Sequence, residues 1–208
     1  MGSPKKRKDY LIPLPEDGKI RLICLDPGAV NSGMACIDVI CEEGVIHKIT
    51  ILCAYRLKHP IHKPKDDLLE QQAAFSLEFR RLCKKYGPDW IVLERFLSRG
   101  RGAASTAEST NYSIGSILEI ARNKKIPIRT VLAVTWKART KRAFFYCKPS
   151  IRKEPPKNDT ALDHLYRNNP KNHHIIDAFM IGIYFVDGYY YVNSGNNIRL
   201  LLEGLQGC

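Results

Sequence analysis

The 208-residue chain has no apolar run long enough to cross a bilayer. The longest, Ile175–Val186, stops at twelve residues and contains Asp177, whereas a spanning helix takes about twenty predominantly apolar residues. No membrane partner is expected. The opening MGSPKKRKDY is basic but lacks the apolar segment of a secretory signal, so the expectation is an intracellular protein. Cysteine pairs at C-x-x-C spacing are also missing. The seven cysteines, at 24, 36, 41, 53, 83, 147 and 208, are odd in number, and four lie in strand-like apolar runs. That fits reduced, buried thiols better than a disulfide framework or a zinc site. A metal cluster from Cys36, Cys41 and His47 would force the spacing, and His59 and His62 sit between prolines in a loop.

Acids are scarce in one long stretch. Residues 122–157 hold twelve Lys or Arg and a single acid, Glu154, whereas 158–208 hold five acids and three basic side chains. A solvated helix face mixes signs, so a one-sign block of this length calls for a polyanionic partner, with phosphate backbone the obvious one. Trp136, Phe144, Phe145 and Tyr146 are interleaved with the charge, as suits a surface that meets bases or sugars, although some of these rings belong to the core. The run PKKRK (4–8) reads as a nuclear-import signal, a DNA-gripping arm or an expression remnant. If it is a native signal the protein is nuclear; otherwise it belongs in the cytoplasm, the nucleoid or a viral factory.

At 44% hydrophobic and 26% charged residues, the composition supports a packed core and excludes wholesale disorder. The expected division is a basic arm and linker over 1–18, one domain over 19–190 and a tail over 191–208. Ile20–Asp26 reads as a buried strand ending at the turn Asp26-Pro27-Gly28. Gly33–Ile40 and Val45–Tyr55 form a hairpin about Glu42-Glu43-Gly44. Asp66–Tyr86 has helical spacing, with Leu69, Ala73, Leu77 and Leu82 on one side, and Gly87-Pro88 stops it. Trp90–Leu93 is a buried strand ending at Glu94, 98–104 a Gly/Arg-rich loop, 106–123 a helix, and Ile126–Val134 a fifth strand. Residues 135–147 read as a basic helix, Thr160–Arg167 as a short helix and Asn172–Val186 as the last one. Three meander strands followed by helix-linked strands predict an α/β fold. Its five-stranded mixed sheet has three antiparallel and then two parallel strands, flanked by helices.

Three acids sit where acids are expensive: Asp26 and Glu94 end apolar strands, and Asp177 interrupts an apolar helix. Each alone has an ordinary explanation. Asp26 can start a turn, Glu94 can pair with Arg95 or water, Asp177 can answer the helix dipole, and His174 can be a surface histidine. Together they point elsewhere. If the strands ending in Asp26 and Glu94 are neighbours, the carboxylates meet at one sheet edge. A helix across that edge adds His174 and Asp177, which at i and i+3 share a face. Three converging carboxylates repel unless divalent cations neutralise them, as in two-metal phosphodiester hydrolysis.

The segments ICLDPGAVNSGMA (23–35), IVLERF (91–96) and HHIIDAFMIGI (173–183) resemble the three motifs of the RuvC-like Holliday junction resolvases, within the RNase H-like superfamily. Asp26, Gly28 and Asn31, and Glu94-Arg95 followed by Ser98-Arg99, resemble the poxviral and fungal mitochondrial branch. The HH-x-x-DA pattern at 173–178 resembles bacterial RuvC proteins and the RuvC domain of RNA-guided nucleases. The motifs keep their order over residues 20–187.

The resemblance implies an endonuclease that resolves four-way DNA junctions with Mg2+ or Mn2+, two ions per site. Asp26 would be shared by both ions, with Glu94 and Asp177 each on one. His174 stands where many members carry a fourth acid, which leaves it as metal ligand, as a reason to favour manganese, or as general base. Phe96 matches the residue placed near the junction centre, with core packing the alternative. Lys137 matches a basic residue near the scissile phosphate, while generic backbone binding is the plainer role for any single cation. Arg95, Arg99, Arg101, Arg139, Lys141 and Arg142 are the further DNA-contact candidates.

A two-fold pseudosymmetric substrate makes a homodimer economical, with helix 106–123 and its Tyr112, Ile114, Ile117, Leu118 and Ile120 as the candidate interface. A branch-migration motor is a conceivable partner that sequence does not specify. The rival readings are a RuvC-like nuclease of flaps, forks or single strands, a guide-dependent relative for which 208 residues leave little room, and a non-catalytic junction-binding protein. ATPase or kinase members of the superfold are disfavoured because no Gly-rich phosphate loop follows the first strand or occurs elsewhere.

Overall fold

The structure, a computed structural model, describes residues 12–28, 31–58, 68–95, 104–137, 173–186 and 199–202. The elements run β1 (Gly18–Asp26), β2 (Asn31–Glu42), β3 (Val45–Lys58), α1 (Leu68–Tyr86), β4 (Trp90–Arg95), α2 (Ala104–Asn123), β5 (Ile128–Leu132), α3 (His173–Phe185) and β6 (Arg199–Leu202). They build one mixed sheet of order β5-β4-β1-β2-β3-β6. β1, β2 and β3 are an antiparallel meander, while β4 joins β1 and β5 joins β4 in parallel. This is the expected mixed sheet. A sixth strand extends it, because β6 pairs in parallel with β3.

The two-residue period of the strands sorts their side chains between two helical layers. Leu22 and Cys24 of β1, Ala35, Ile37 and Val39 of β2 and Val92 of β4 pack with α3 through Ile176, Phe179 and Ile183. Ile23, Leu25, Met34, Ile91 and Leu93 face the other way, onto Phe75, Phe79 and Leu82 of α1 and Ile117 and Ile120 of α2. Along β3 the pairing with β2 shifts between Cys36 and Ile37, where Leu52 is the extra residue. That bulge reverses the alternation, as an unpaired residue must. Ile49 and Ile51 therefore belong to the α3 layer, and Cys53 and Leu57 to the α1–α2 layer.

Several sequence expectations need correction. The buried face of α1 is Gln72, Phe75, Phe79, Leu82 and Cys83; Ala73 is exposed and Leu77 is 71% exposed. The two phenylalanines, whose parallel rings lie 6.2 Å apart, choose the helix face, and the leucine spacing misleads. The fifth strand is shorter than expected, because residues 133–137 are already helical. Cys36 and Cys41 lie in opposite layers, so with His47 they form no metal cluster. Cys24, Cys36, Cys41, Cys53 and Cys83 are free and buried. No helix among the described residues is long and apolar enough to cross a membrane.

Candidate active site

The alternation that builds the core also builds the site. Asp26 follows Leu22 and Cys24 on the α3 side of β1, and Glu94 follows Val92 on the α3 side of β4. Leu25 pairs with Leu93, so the two acids stand side by side where the parallel strands end. The N-terminal part of α3 crosses this edge and brings His174 and Asp177 to it. Two glycines set how closely it lies. Gly33, the register partner of Asp26, faces the His174 backbone so tightly that a Cβ there would collide with it, and a Cβ on Gly182 would strike Cys24. Beyond β1 the chain turns through Pro27-Gly28, where the Gly28 N–H donates to Ser32 Oγ at 3.3 Å.

From the opposite side, the helical turn 133–137 directly after β5 contributes two neighbouring donors. Trp136 is fully buried, and its indole Nε1–H donates to Glu94 Oε2 at 2.7 Å. Lys137 Nζ lies 3.3 Å from Asp177 Oδ2 and 3.8 Å from Glu94 Oε2. Those two carboxylate oxygens are therefore no further apart than the two distances laid end to end. The ammonium also sits 4.8 Å from the centroid of the Trp136 ring. His174 Nδ1 is 2.6 Å from Asp26 Oδ2. Asp26, Glu94, His174 and Asp177 thus lie within reach of one another's charge, with Lys137 as a cation between Glu94 and Asp177.

The electrostatics show an excess of acid. Burial, then the charges of Asp26 and Asp177, push Glu94 up to about 6 against the opposing pull of Lys137 and the Trp136 hydrogen bond. The hydrogen bond to Asp26 raises His174 despite burial, so its Nδ1 is the donor to that carboxylate. Burial depresses Lys137, but Asp177, Glu94 and Asp26 together outweigh it and leave the ammonium firmly charged. Asp26 and Asp177 are 7% and 3% exposed. Burying such charges costs several kcal/mol each, of order, unless partners answer them.

Thermus thermophilus RuvC, solved in complex with a Holliday junction substrate, superposes at TM-score 0.56 with 18% identity, covering 82% of this chain and 94% of that one. The yeast mitochondrial Holliday junction resolvase Ydc2 superposes at 0.53 with 16% identity, covering 88% and 84%. This chain has the RuvC-like resolvase fold. A second T. thermophilus RuvC structure gives 0.54 at 18% identity, covering 82% and 95%. No family of known sequences and no curated protein matches the chain by sequence. The resemblance in three short motifs is therefore matched by a fold of the same type, over nearly the whole length of each RuvC chain.

The donors at this edge suit a divalent metal ion in kind. Three carboxylates supply hard oxygens, the ligand type Mg2+ and Mn2+ prefer. Burial first, and the charges of Asp26 and Asp177 after it, disfavour a charged Glu94, and a bound cation would offset both. Among the described residues no three His, Cys, Asp or Glu side chains close into a cage; each acid leans instead on Lys137, His174 or Trp136.

Two positions of consequence were not singled out for these roles by sequence. Trp136, grouped above with aromatics that meet nucleic acid, is instead a core residue that holds Glu94. No local feature of the sequence points to that contact, which spans 42 residues. Gly33 was read as a strand start, and its pairing with Asp26 across the β1–β2 hairpin was the clue to a close approach. Arg95 is exposed at the end of β4. Phe96, Arg99, Arg101, Arg139, Lys141 and Arg142 lie outside the described residues.

Proposed function

We propose that the protein is a structure-specific DNA endonuclease that resolves four-way junctions by divalent-metal-dependent phosphodiester hydrolysis. The observation that carries this is the meeting of Asp26, Glu94 and Asp177 at one edge of a RuvC-type sheet, on a chain of net charge +12. The RuvC neighbour was solved with a Holliday junction, and by likeness this chain takes branched DNA.

Asp26, Glu94 and Asp177 would hold Mg2+ or Mn2+. When bound, such ions supply an activated water and stabilise the departing 3′ oxygen. The protein groups do the rest. Trp136 fixes Glu94, and the strand ends carry Asp26 and Glu94 to one edge, which limits the reorganisation left for the reaction. His174, with Nδ1 committed to Asp26, would take the attacking water's proton through Nε2. Lys137 balances Glu94 and Asp177 and would be the cation offered to a phosphate oxygen. The block over 122–157, with Arg139, Lys141 and Arg142, neutralises the DNA arms. A homodimer would present two such sites to the two strands of the junction. Among the described residues of α2, Tyr112 and Leu118, 44% and 45% exposed, are the large apolar side chains available for its interface, whereas Ile117 and Ile120, also expected there, are buried in the core.

The test is to incubate the protein with a labelled immobile junction, a flap, a duplex and a single strand, each with Mg2+, Mn2+ or EDTA. Paired symmetric nicks on the junction, lost with EDTA, are expected. Cutting confined to flaps or single strands would keep the metal site and discard junction resolution. Binding with no cutting under either metal would make the protein a junction binder.

A further inference from the structure

We propose that Trp136 is a positioning residue for metal loading: its indole N–H pins Glu94 Oε2 so that Oε1 is the oxygen offered to a divalent cation. The inference rests on the reading of the three acids as a metal site and adds a residue that the acids do not define.

Two donors reach the same Glu94 oxygen from adjacent positions, and they differ in kind. Lys137 is an ammonium on a flexible stem, 3.8 Å from Oε2 and closer to Asp177. It carries the same sign as the ion the site would receive, so the two compete for the carboxylate. Trp136 is neutral, donates through one atom and accepts nothing. Its 2.7 Å bond is at the short end for N–H to carboxylate, and it can persist whatever cation arrives.

The ring cannot swing away. It is the largest fully buried side chain of the described residues, packed in the cluster that holds Val92, Val131 and Phe179. The strand places Glu94, the core holds the indole, and the indole holds one carboxylate oxygen. Outer partners of this sort orient metal ligands and, when removed, typically weaken metal binding by about 10–100-fold.

The experiment counts free Mn2+ by electron paramagnetic resonance in titrations of the wild type, Trp136→Phe and Glu94→Gln, with thermal melts alongside. The expectation is that Trp136→Phe binds Mn2+ about 10–100-fold more weakly while still melting cooperatively, and that Glu94→Gln is weaker still. A second measurement uses Trp90→Phe. The chain has two tryptophans, so all indole emission in this variant comes from Trp136. Adding Mg2+ should shift that emission saturably, and the added Glu94→Gln change should remove the response.

Equal Mn2+ affinity in Trp136→Phe and wild type, with Glu94→Gln impaired, would overturn the role of Trp136 and leave the metal site standing. No Mn2+ uptake by the wild type, or unimpaired uptake by Glu94→Gln, would overturn the metal reading and the inference together. If Trp136→Phe fails to fold, the emission titration decides alone, and a flat response there sinks the proposal.

Discussion

Strand β1 carries a buried charge cluster at each end, and the two are built on opposite principles. Near its start, Arg21 and Lys19 face Asp38, and the Arg21 backbone N–H donates to Asp89 Oδ2 at 2.7 Å. The Arg21 Nε and Nη2 groups donate to the two Asp38 carboxylate oxygens at 2.6 and 2.8 Å, and Lys19 Nζ adds a contact at 3.1 Å. Arg21 also donates to the Tyr86 carbonyl at the end of α1. Burial works against the Asp38 carboxylate, but its two cations prevail and hold it below the usual range. Five residues on, the three acids Asp26, Glu94 and Asp177 share Lys137 and His174, and Glu94 is pushed up instead. One cluster is neutralised by the chain itself and ties a helix end to the sheet. In the other, among the described residues, three acids share one lysine and one histidine, the kind of acid-rich cluster expected of a site for an incoming cation.

The largest effect should follow from removing an acid at the acid-rich end. Asp26→Asn is expected to cut junction cleavage by more than about a hundredfold, beyond the range typical of outer-shell changes. Junction affinity and melting temperature should be little changed, because the basic surface and the core stay intact. Cleavage rates and gel-shift binding of the same preparation check this. Undiminished cutting would remove Asp26 from the chemistry.

The balanced end should respond in the opposite way, losing stability and keeping its chemistry. Asp38→Asn leaves Arg21 without its counter-charge, at a cost of about 3 kcal/mol at neutral pH. Because the folded-state pKa of Asp38 is depressed, its contribution is fully present above the ordinary carboxylate value of 3.8. It is lost as pH falls through the lower folded value. The stability gap between wild type and Asp38→Asn, measured by urea unfolding, should hold steady from pH 5 to 8 and narrow only below about pH 4. A gap that grew in acid would contradict the ion-pair account.

A backbone contact separates geometry from charge. Gly33→Ala places a methyl against the His174 backbone, so α3 must shift at the point where it delivers His174 and Asp177. A cost of about 1–3 kcal/mol is expected from overpacking, together with loss of cleavage although every acid remains. Full activity with a normal melt would mean the acids tolerate a displaced helix.

How much of this was legible beforehand depended on the kind of signal. Apolar strands that end in an acid, the first at the turn Asp26-Pro27-Gly28, declared themselves, and the meeting of Asp26 with Glu94 followed once those strands were taken as neighbours. The pairing of Arg21 with Asp38 was hidden, since it depends on the β1–β2 register, which no single strand records. The face of α1 was misread because Leu77 and Phe79 are both apolar, and only the sheet decides which one it buries. Trp136 was invisible as a partner of Glu94 because the contact spans 42 residues and arises from a parallel pairing of β4 with β5. Motifs mark the acids; what holds the acids in place lies between the motifs.

The smallest effect expected sharpens the comparison most. Lys19 is half exposed, and Arg21 neutralises Asp38 without it. Lys19→Gln should therefore cost no more than about 1 kcal/mol, the ordinary worth of a surface ion pair. Lys137 differs: it reaches both Glu94 and Asp177, and both carboxylates are more buried than it is. In chelator, Lys137→Gln should destabilise the fold more than Lys19→Gln does. Added Mg2+ should then restore more of that loss in Lys137→Gln than in Lys19→Gln, since the ion takes over a charge the lysine had supplied. Equal losses in the two variants, unaffected by Mg2+, would show that both ends of β1 are structural ion pairs of the same kind.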